Sequence, residues 1–296
     1  MTRLLTTLSA ILLLSATARS QQYFHDQLPP GNYSGICAIG NGCFAVVDDK
    51  GAEDGFYVFR FDVDTLSGKI TEAQNLGYRS SGLPNRDMEG ICFFPPSGTV
   101  FISGEKDNEV FEYSLDGHRT GRQLNMPAVM KRGRSNLRME ALTYDPTAHQ
   151  FYVTTEHPMP GDTLLRIQAF GDNLQPSKQY LYRPDAPLSA KHKYGVSALC
   201  AMGDGRLLVL ERQVMVPRTK LNAQTVISIY EVWPGNDAML TKRLLTTFKT
   251  RLTITNRRFA NYEGMCALSR NWLLLVADSQ QRYKNILRDW FLMLRL

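Results

Sequence analysis

Glu89-Gly90-Ile91-Cys92 recurs with small changes four more times along the chain, as Ser34-Gly35-Ile36-Cys37, Glu140-Ala141-Leu142-Thr143, Ser197-Ala198-Leu199-Cys200 and Glu263-Gly264-Met265-Cys266. The second members lie 55, 51, 57 and 66 residues apart. Self-similarity at such a period is the mark of a repeat architecture. After each start comes a turn of Gly, Pro or polar residues and then a second apolar run, at 44–47, 100–103, 151–155, 207–210 and 273–277. Each unit therefore opens with a β-hairpin. Third stretches at 56–63, 109–115, 164–170, 226–232 and 290–296 alternate apolar and polar residues, as half-buried strands do. Outer strands are weaker, with 179–182 and 244–248 the best matches.

Units of about 50 residues with three or four strands each are propeller blades. The sequence predicts an all-β fold, a single β-propeller with five visible repeats and five or six blades, the longest spacing leaving room for a degenerate sixth. A sandwich is the alternative, and it does not account for the repeated ladder. The chain ends straight after the third strand of the fifth unit, so residues 23–28 are expected to close the ring as its outer strand and remove an exposed edge. One helical turn is expected at 284–288.

The first twenty residues read as an export signal: Arg3, a mostly apolar run over 4–14, then Ser15, Ala16 and Ala18. Cleavage is expected near Ala18 or Ser20, leaving residues 21–296 as one propeller domain in the periplasm or outside the cell. The apolar run is shorter than the roughly 20 residues that span a bilayer, so no membrane span is expected. Of the 296 residues, 34 are Lys or Arg and 28 are Asp or Glu, a net charge of +6 that falls to +4 without Arg3 and Arg19. The basic residues are scattered, and the one cluster, Lys131, Arg132 and Arg134, reads as a solvated loop. No nucleic-acid partner is expected. Cys37, Cys92, Cys200 and Cys266 hold equivalent places, with Thr143 in the fifth unit, which suits small buried fillers better than disulfides. Only Cys37 and Cys43 are close enough in sequence to bridge across one hairpin.

Acids follow the second runs in every unit, at Asp48, Glu105, Glu156, Glu211 and Asp278. Three units add an acid at the start of the first strand: Glu89, Glu140 and Glu263, with Ser34 and Ser197 in the other two. The first strand of a blade lines the central channel, so these carboxylates are expected to converge there. At an effective dielectric near 20, like charges about 4 Å apart repel by roughly 4 kcal/mol. A hard metal ion, basic side chains or protonation would relieve this, and calcium best suits an exported, oxygen-rich site. The bland alternative is that the second-strand acids only cap hairpin ends. Basic residues interleave with the acids: Arg86, Lys106, Arg138, His157 and Arg212. There is no Gly-x-Ser-x-Gly elbow, no zinc-type His pair and no phosphate-cradling loop before a helix.

Asp87-Met88-Glu89-Gly90-Ile91, Met139-Glu140-Ala141-Leu142, Leu207-Leu208-Val209-Leu210-Glu211-Arg212 and Asn261-Tyr262-Glu263-Gly264-Met265 resemble the recurring motifs of the phytase-like, or esterase-like, propeller family of exported bacterial proteins. The likeness covers about 33–296. It implies a propeller and calcium-assisted hydrolysis of a phosphoester or ester, with Glu89, Glu140, Glu211, Arg212 and Glu263 as channel residues. On this reading Glu89, Glu140 and Glu263 are the catalytic carboxylates. Glu89, Glu140, Glu211, Glu263 and Asp278 would ligate the metal, and Arg138, Arg212, Lys106 and His157 would bind a small anionic or ester substrate. A monomer is expected. Two other readings stay open: a non-catalytic propeller that binds a ligand or protein at the channel mouth, and a lactonase-like metal hydrolase.

Overall fold

The computed structural model of the chain describes residues 19–132 and 139–296. Five four-stranded antiparallel sheets form the five blades of a propeller. Strand β1 (Arg19–Tyr23) comes first in sequence and belongs to the last blade. Blade 1 holds β2 (Tyr33–Gly40), β3 (Cys43–Asp48), β4 (Glu53–Asp64) and β5 (Lys69–Pro84). Blade 2 holds β6 (Met88–Phe94), β7 (Thr99–Gly104), β8 (Glu109–Tyr113) and β9 (Arg119–Gln123). Blade 3 holds β10 (Met139–Asp145), β11 (Gln150–Thr155), β12 (Leu165–Gly171) and β13 (Pro176–Tyr182). Blade 4 holds β14 (Lys193–Ala201), β15 (Leu207–Met215), β16 (Gln224–Val232) and β17 (Arg243–Arg251). Blade 5 holds β18 (Asn261–Ser269), β19 (Trp272–Asp278) and β20 (Trp290–Arg295), completed by β1.

The second strands carry unbroken apolar runs because both faces are buried there. In β3, Phe44 and Val46 pack toward blade 5 while Ala45 and Val47 pack toward blade 2. The same alternation sends Leu208 and Leu210 of β15 toward blade 5, and Leu207 and Val209 toward blade 3. Five apolar layers thus fill the five gaps between neighbouring blades. No gap is left for a sixth blade.

Closure uses β1 against β20, in register from Arg19 opposite Leu294 to Tyr23 opposite Trp290. The strand lies earlier than the 23–28 expected from sequence. Past Tyr23 the chain turns, and Phe24 and Leu28 fold onto the layer between blades 5 and 1 instead of extending the sheet. Of the export signal expected over residues 1–20, residues 1–18 lie outside the described residues, and Arg19 and Ser20 lie in β1. The short turn α1 (Tyr283–Ile286) sits between β19 and β20. Among the described residues no helix is long and apolar enough to cross a membrane.

All five cysteines are free thiols, so Cys37 and Cys43 do not bridge. Their register explains this: Cys37 faces Ala45 across the hairpin, and Cys43 faces Gly40. Burial pushes the Cys200 thiol up to about 12, consistent with a filler rather than a reactive group.

Around the axis the first strands approach closely because their facing residues are small. A β-carbon on Gly90 would stand 2.7 Å from the Leu142 nitrogen, and one on Gly264 would stand 3.0 Å from the Gly35 Cα. The void left on the axis is about 10 Å³, room for one water at most.

Candidate functional site

Each blade carries the same irregularity at one end of its first hairpin. The ladder slips between Tyr33 and Gly35, Met88 and Ile91, Met139 and Ala141, Val196 and Ala198, and Tyr262 and Gly264. A bulge leaves the extra residue unpaired and re-aims its side chain. The bulged positions hold Ser34, Glu89, Glu140, Ser197 and Glu263, which is why those three carboxylates turn toward the mouth of the ring.

The residues paired just before each bulge are Asp48, Gly104, Thr155, Glu211 and Ala277. The next residue in each blade is therefore equivalent: Asp49, Glu105, Glu156, Arg212 and Asp278. This corrects the acid ring read from the sequence at two places, where Asp48 and Glu211 stand one step too early. Glu211 accepts hydrogen bonds from Tyr182, from the Asp185 backbone N–H at 2.8 Å and from Lys242 at 2.6 Å. It serves the contact between blades 3 and 4 and is not available to a metal at the mouth. Four acids and one arginine make the true ring.

That arginine organises one side of the mouth. Arg212 donates to Glu263, to Glu156 at 3.0 Å, to Glu140 at 3.4 Å and to Asn261 Oδ1 at 2.9 Å. Asn261 Nδ2 in turn donates to Glu263 at 2.7 Å. Gly195 makes room for this pairing, since a β-carbon there would stand 2.8 Å from the Glu156 carbonyl oxygen.

Arg212, Glu140 and Glu263 are 12%, 7% and 10% exposed in their side chains. Burial raises the carboxyl groups: Glu263 to about 8, with Arg212 opposing, and Glu140 well above the usual carboxylate range, with Glu156 adding to the rise. Burial works against the guanidinium, but Glu263, Glu156 and Glu140 outweigh it and hold Arg212 above its ordinary value.

The opposite side is acidic. Burial, then the Glu140 charge, lifts Glu89 well above the carboxylate range. Burial raises Asp278 to about 6, against the Gln280 backbone N–H that it accepts at 2.6 Å. Asp49 is also raised by burial, with Lys50 opposing at 3.0 Å. Asn32 Oδ1 and Asp49 Oδ1 are buried acceptors with no donor.

A hard cation takes oxygen ligands, so the donor chemistry of the Asn32–Asp49 corner fits calcium. The set expected from sequence does not fit. Glu211 points elsewhere, Arg212 occupies Glu140 and Glu263, and among the described residues no three His, Cys, Asp or Glu side chains converge closely enough to hold an ion.

A cavity of about 820 Å³ opens off the axis beside this mouth. Glu156, Arg212, Asn261 and Asp278 form its axial wall, and His157 lines it with its ring 4.7 Å from that of Tyr194. Of the proposed substrate binders, Arg212 and His157 are here. Lys106 is not, standing instead by Asn85 at 3.3 Å and Asp87 at 3.7 Å on blade 2. Arg138 lies outside the described residues. Glu89, Glu140 and Glu263 do not line the cavity. Sequence reasoning missed Asn32, Asp49, Asn261 and the cavity wall between β13 and β14. Only the bulge register, applied blade by blade, would have found Asp49.

No curated protein matches the chain. Among solved structures, it is similar to the PQQ-bound form of aldose sugar dehydrogenase from Streptomyces coelicolor, at 13% identity over 94% of this chain and 98% of that one, TM-score 0.47. It is also similar to a streptogramin B lyase, at 11% identity over 93% and 97%, TM-score 0.44. The calcium structure of a Trichoderma reesei carbohydrate-active enzyme of family AA12 matches at 10% identity over 93% and 95%, TM-score 0.48. A family model described as phytase-like, esterase-like activity of phytase, matches residues 29–280. With most of its length matched, the chain belongs to the phytase-like family.

Proposed function

We propose that the chain hydrolyses an ester or phosphoester bond at the axial wall of the off-axis cavity. The observation that supports this reading is the convergence of Glu140, Glu156 and Glu263 on one arginine at that wall. The guanidinium offers fixed positive charge to a carbonyl or phosphoryl oxygen as negative charge develops on it. Asp278 lines the same wall and, at about 6, is ionised at neutral pH. It takes a proton from the attacking water and returns it to the departing oxygen. Glu263, at about 8, keeps its proton near neutrality and so leaves part of the Arg212 charge for the substrate. Glu140 and Glu156 position the guanidinium. Calcium, when bound, would be held by Asn32 and Asp49 and would neutralise the acidic side of the mouth.

The test is turnover by the purified full-length chain on a panel of carboxylic esters, lactones and phosphomonoesters, with and without calcium. Asp278→Asn is expected to lower kcat about a hundredfold, the scale of a positioned general base. No turnover on any member in either condition would end the hydrolase reading. Saturable ligand binding in that case would make the chain a binding propeller.

A further inference from the structure

We infer that the off-axis cavity takes an amphipathic anion: an ester with an apolar body and a negatively charged group set on the order of 7 Å from the bond that breaks. This rests on the hydrolase reading of the same cavity and adds the class of substrate. Its volume of about 820 Å³ lies in the range of pockets that enclose a whole small molecule, and is far larger than a bare inorganic anion needs.

One part of the wall is apolar. Val214, Val216, Ala223, Phe259 and Leu287 line it, and Ala223, Phe259 and Leu287 pack with Leu252 into a cluster separate from the five layers between blades. A hydrophilic anion would leave this surface unrewarded, because apolar area gains only when it is removed from water.

Another part is cationic. Lys191, Lys193 and Lys220 line the same cavity, with His192 between the first two. The Lys191 and Lys193 amines have no ion pair among the described residues, and Lys220 meets only the neutral Gln280 Oε1 at 3.0 Å and the Tyr283 ring. A neutral apolar ligand would cover these amines without a counter-charge, at a desolvation cost.

The register fixes how the two parts relate to the chemistry. Lys193 faces Val214 across the β14–β15 ladder, two residues beyond the Gly195–Arg212 pair. At about 3.4 Å per residue, the strand positions of this cation and this apolar side chain lie roughly 7 Å outward from that of Arg212. Glu156 and Asp278 at the axial wall repel a second negative group. The anionic end is therefore directed to the lysines and the scissile bond to Arg212.

Calorimetry with three probes on the full-length chain tests this: 2-naphthalenesulfonate, methanesulfonate and 2-naphthylmethanol. The sulfonated naphthalene is expected to bind, and both others at least about tenfold more weakly. The double variant Lys191→Gln, Lys193→Gln and the single variant Val216→Asp, at a position already 39% exposed, are each expected to weaken it about tenfold. Thermal melting shows whether the variants stay folded.

Equal affinity for methanesulfonate, indifference to both variants, or no binding of the naphthalene would overturn the inference. Turnover of small hydrophilic esters without probe binding leaves the hydrolase standing and removes the amphipathic substrate. Probe binding without turnover of a sulfonated naphthyl ester keeps the ligand class and removes the hydrolase.

Discussion

Arg212 of blade 4 and Glu140 of blade 3 meet at 3.4 Å across the mouth of the ring, although 72 residues separate them in sequence. Their pairing shows how one cation replaces the fifth acid and ties three carboxylates together. Removing one partner of a buried ion pair strands the others, at a cost of about 3–5 kcal/mol. Arg212→Met is expected to lose that much stability in urea unfolding at pH 8. The loss should shrink at pH 5, where Glu140 and Glu263 hold protons and fewer charges are stranded. Arg212→Lys should rescue only part of it, because an ammonium cannot serve several acceptors with a planar fork.

Glu263 gives a stability profile with a definite sign. Its pKa is raised from 4.5 to about 8 in the folded chain, so the native state binds a proton more tightly than the unfolded state between those values. Stability is therefore highest on the acid side and declines as pH rises from about 4.5 to about 8. Glu89 and Glu140 are displaced in the same direction by burial and add to the slope. Glu263→Gln should flatten the decline in melting temperature across this window. An unchanged slope would mean that Glu263 is ionised throughout.

Activity should follow two of the same groups. It is expected to rise as Asp278 ionises near pH 6 and to fall as Glu263 ionises near pH 8 and neutralises more of the Arg212 charge. Initial rates from pH 5 to 9 should trace a bell whose alkaline limb disappears in Glu263→Gln.

Calcium added to chelated protein is expected to raise the melting temperature through the Asn32–Asp49 corner, by mass action on the native state. Asp49→Asn should abolish that rise. Glu211→Gln should leave it intact while weakening the Tyr182 and Lys242 contacts between blades 3 and 4. The reverse pattern would restore the ligand set expected from sequence.

If the chain is exported, removal of its signal is expected to leave β1 whole. Arg19 already pairs with Leu294 and Ser20 with Met293, so cleavage after Ala18 keeps all five paired residues, whereas cleavage after Ser20 removes two. N-terminal sequencing of the protein recovered from the periplasm or medium decides between them. A variant lacking 19–23 should aggregate through the uncovered edge of β20.

The blades were legible because the second strands are buried on both faces and so read as unbroken apolar runs, as in Leu207-Leu208-Val209-Leu210. Outer strands β5 and β9 were not. Most residues of Lys69–Pro84 and Arg119–Gln123 face water, so burial imposes little apolar alternation on them. The site was half legible for a different reason. Glu89, Glu140 and Glu263 stand out by repetition, but counting from an apolar anchor takes no account of the bulge. That is why Asp48 and Glu211 were read in place of Asp49 and Arg212. Loop residues such as Lys191 and Phe259 come together only through the fold, and no period announces them.

The sealed axis has a kinetic consequence. The space on the axis between the first strands has room for about one water, so on the proposed reading the substrate does not thread the ring. On that reading reactant and product share the mouth of the off-axis cavity, so each departing product stands where the next reactant would enter. The proposed hydrolase is therefore expected to show competitive inhibition by its own product, with turnover paced by how fast the vestibule empties.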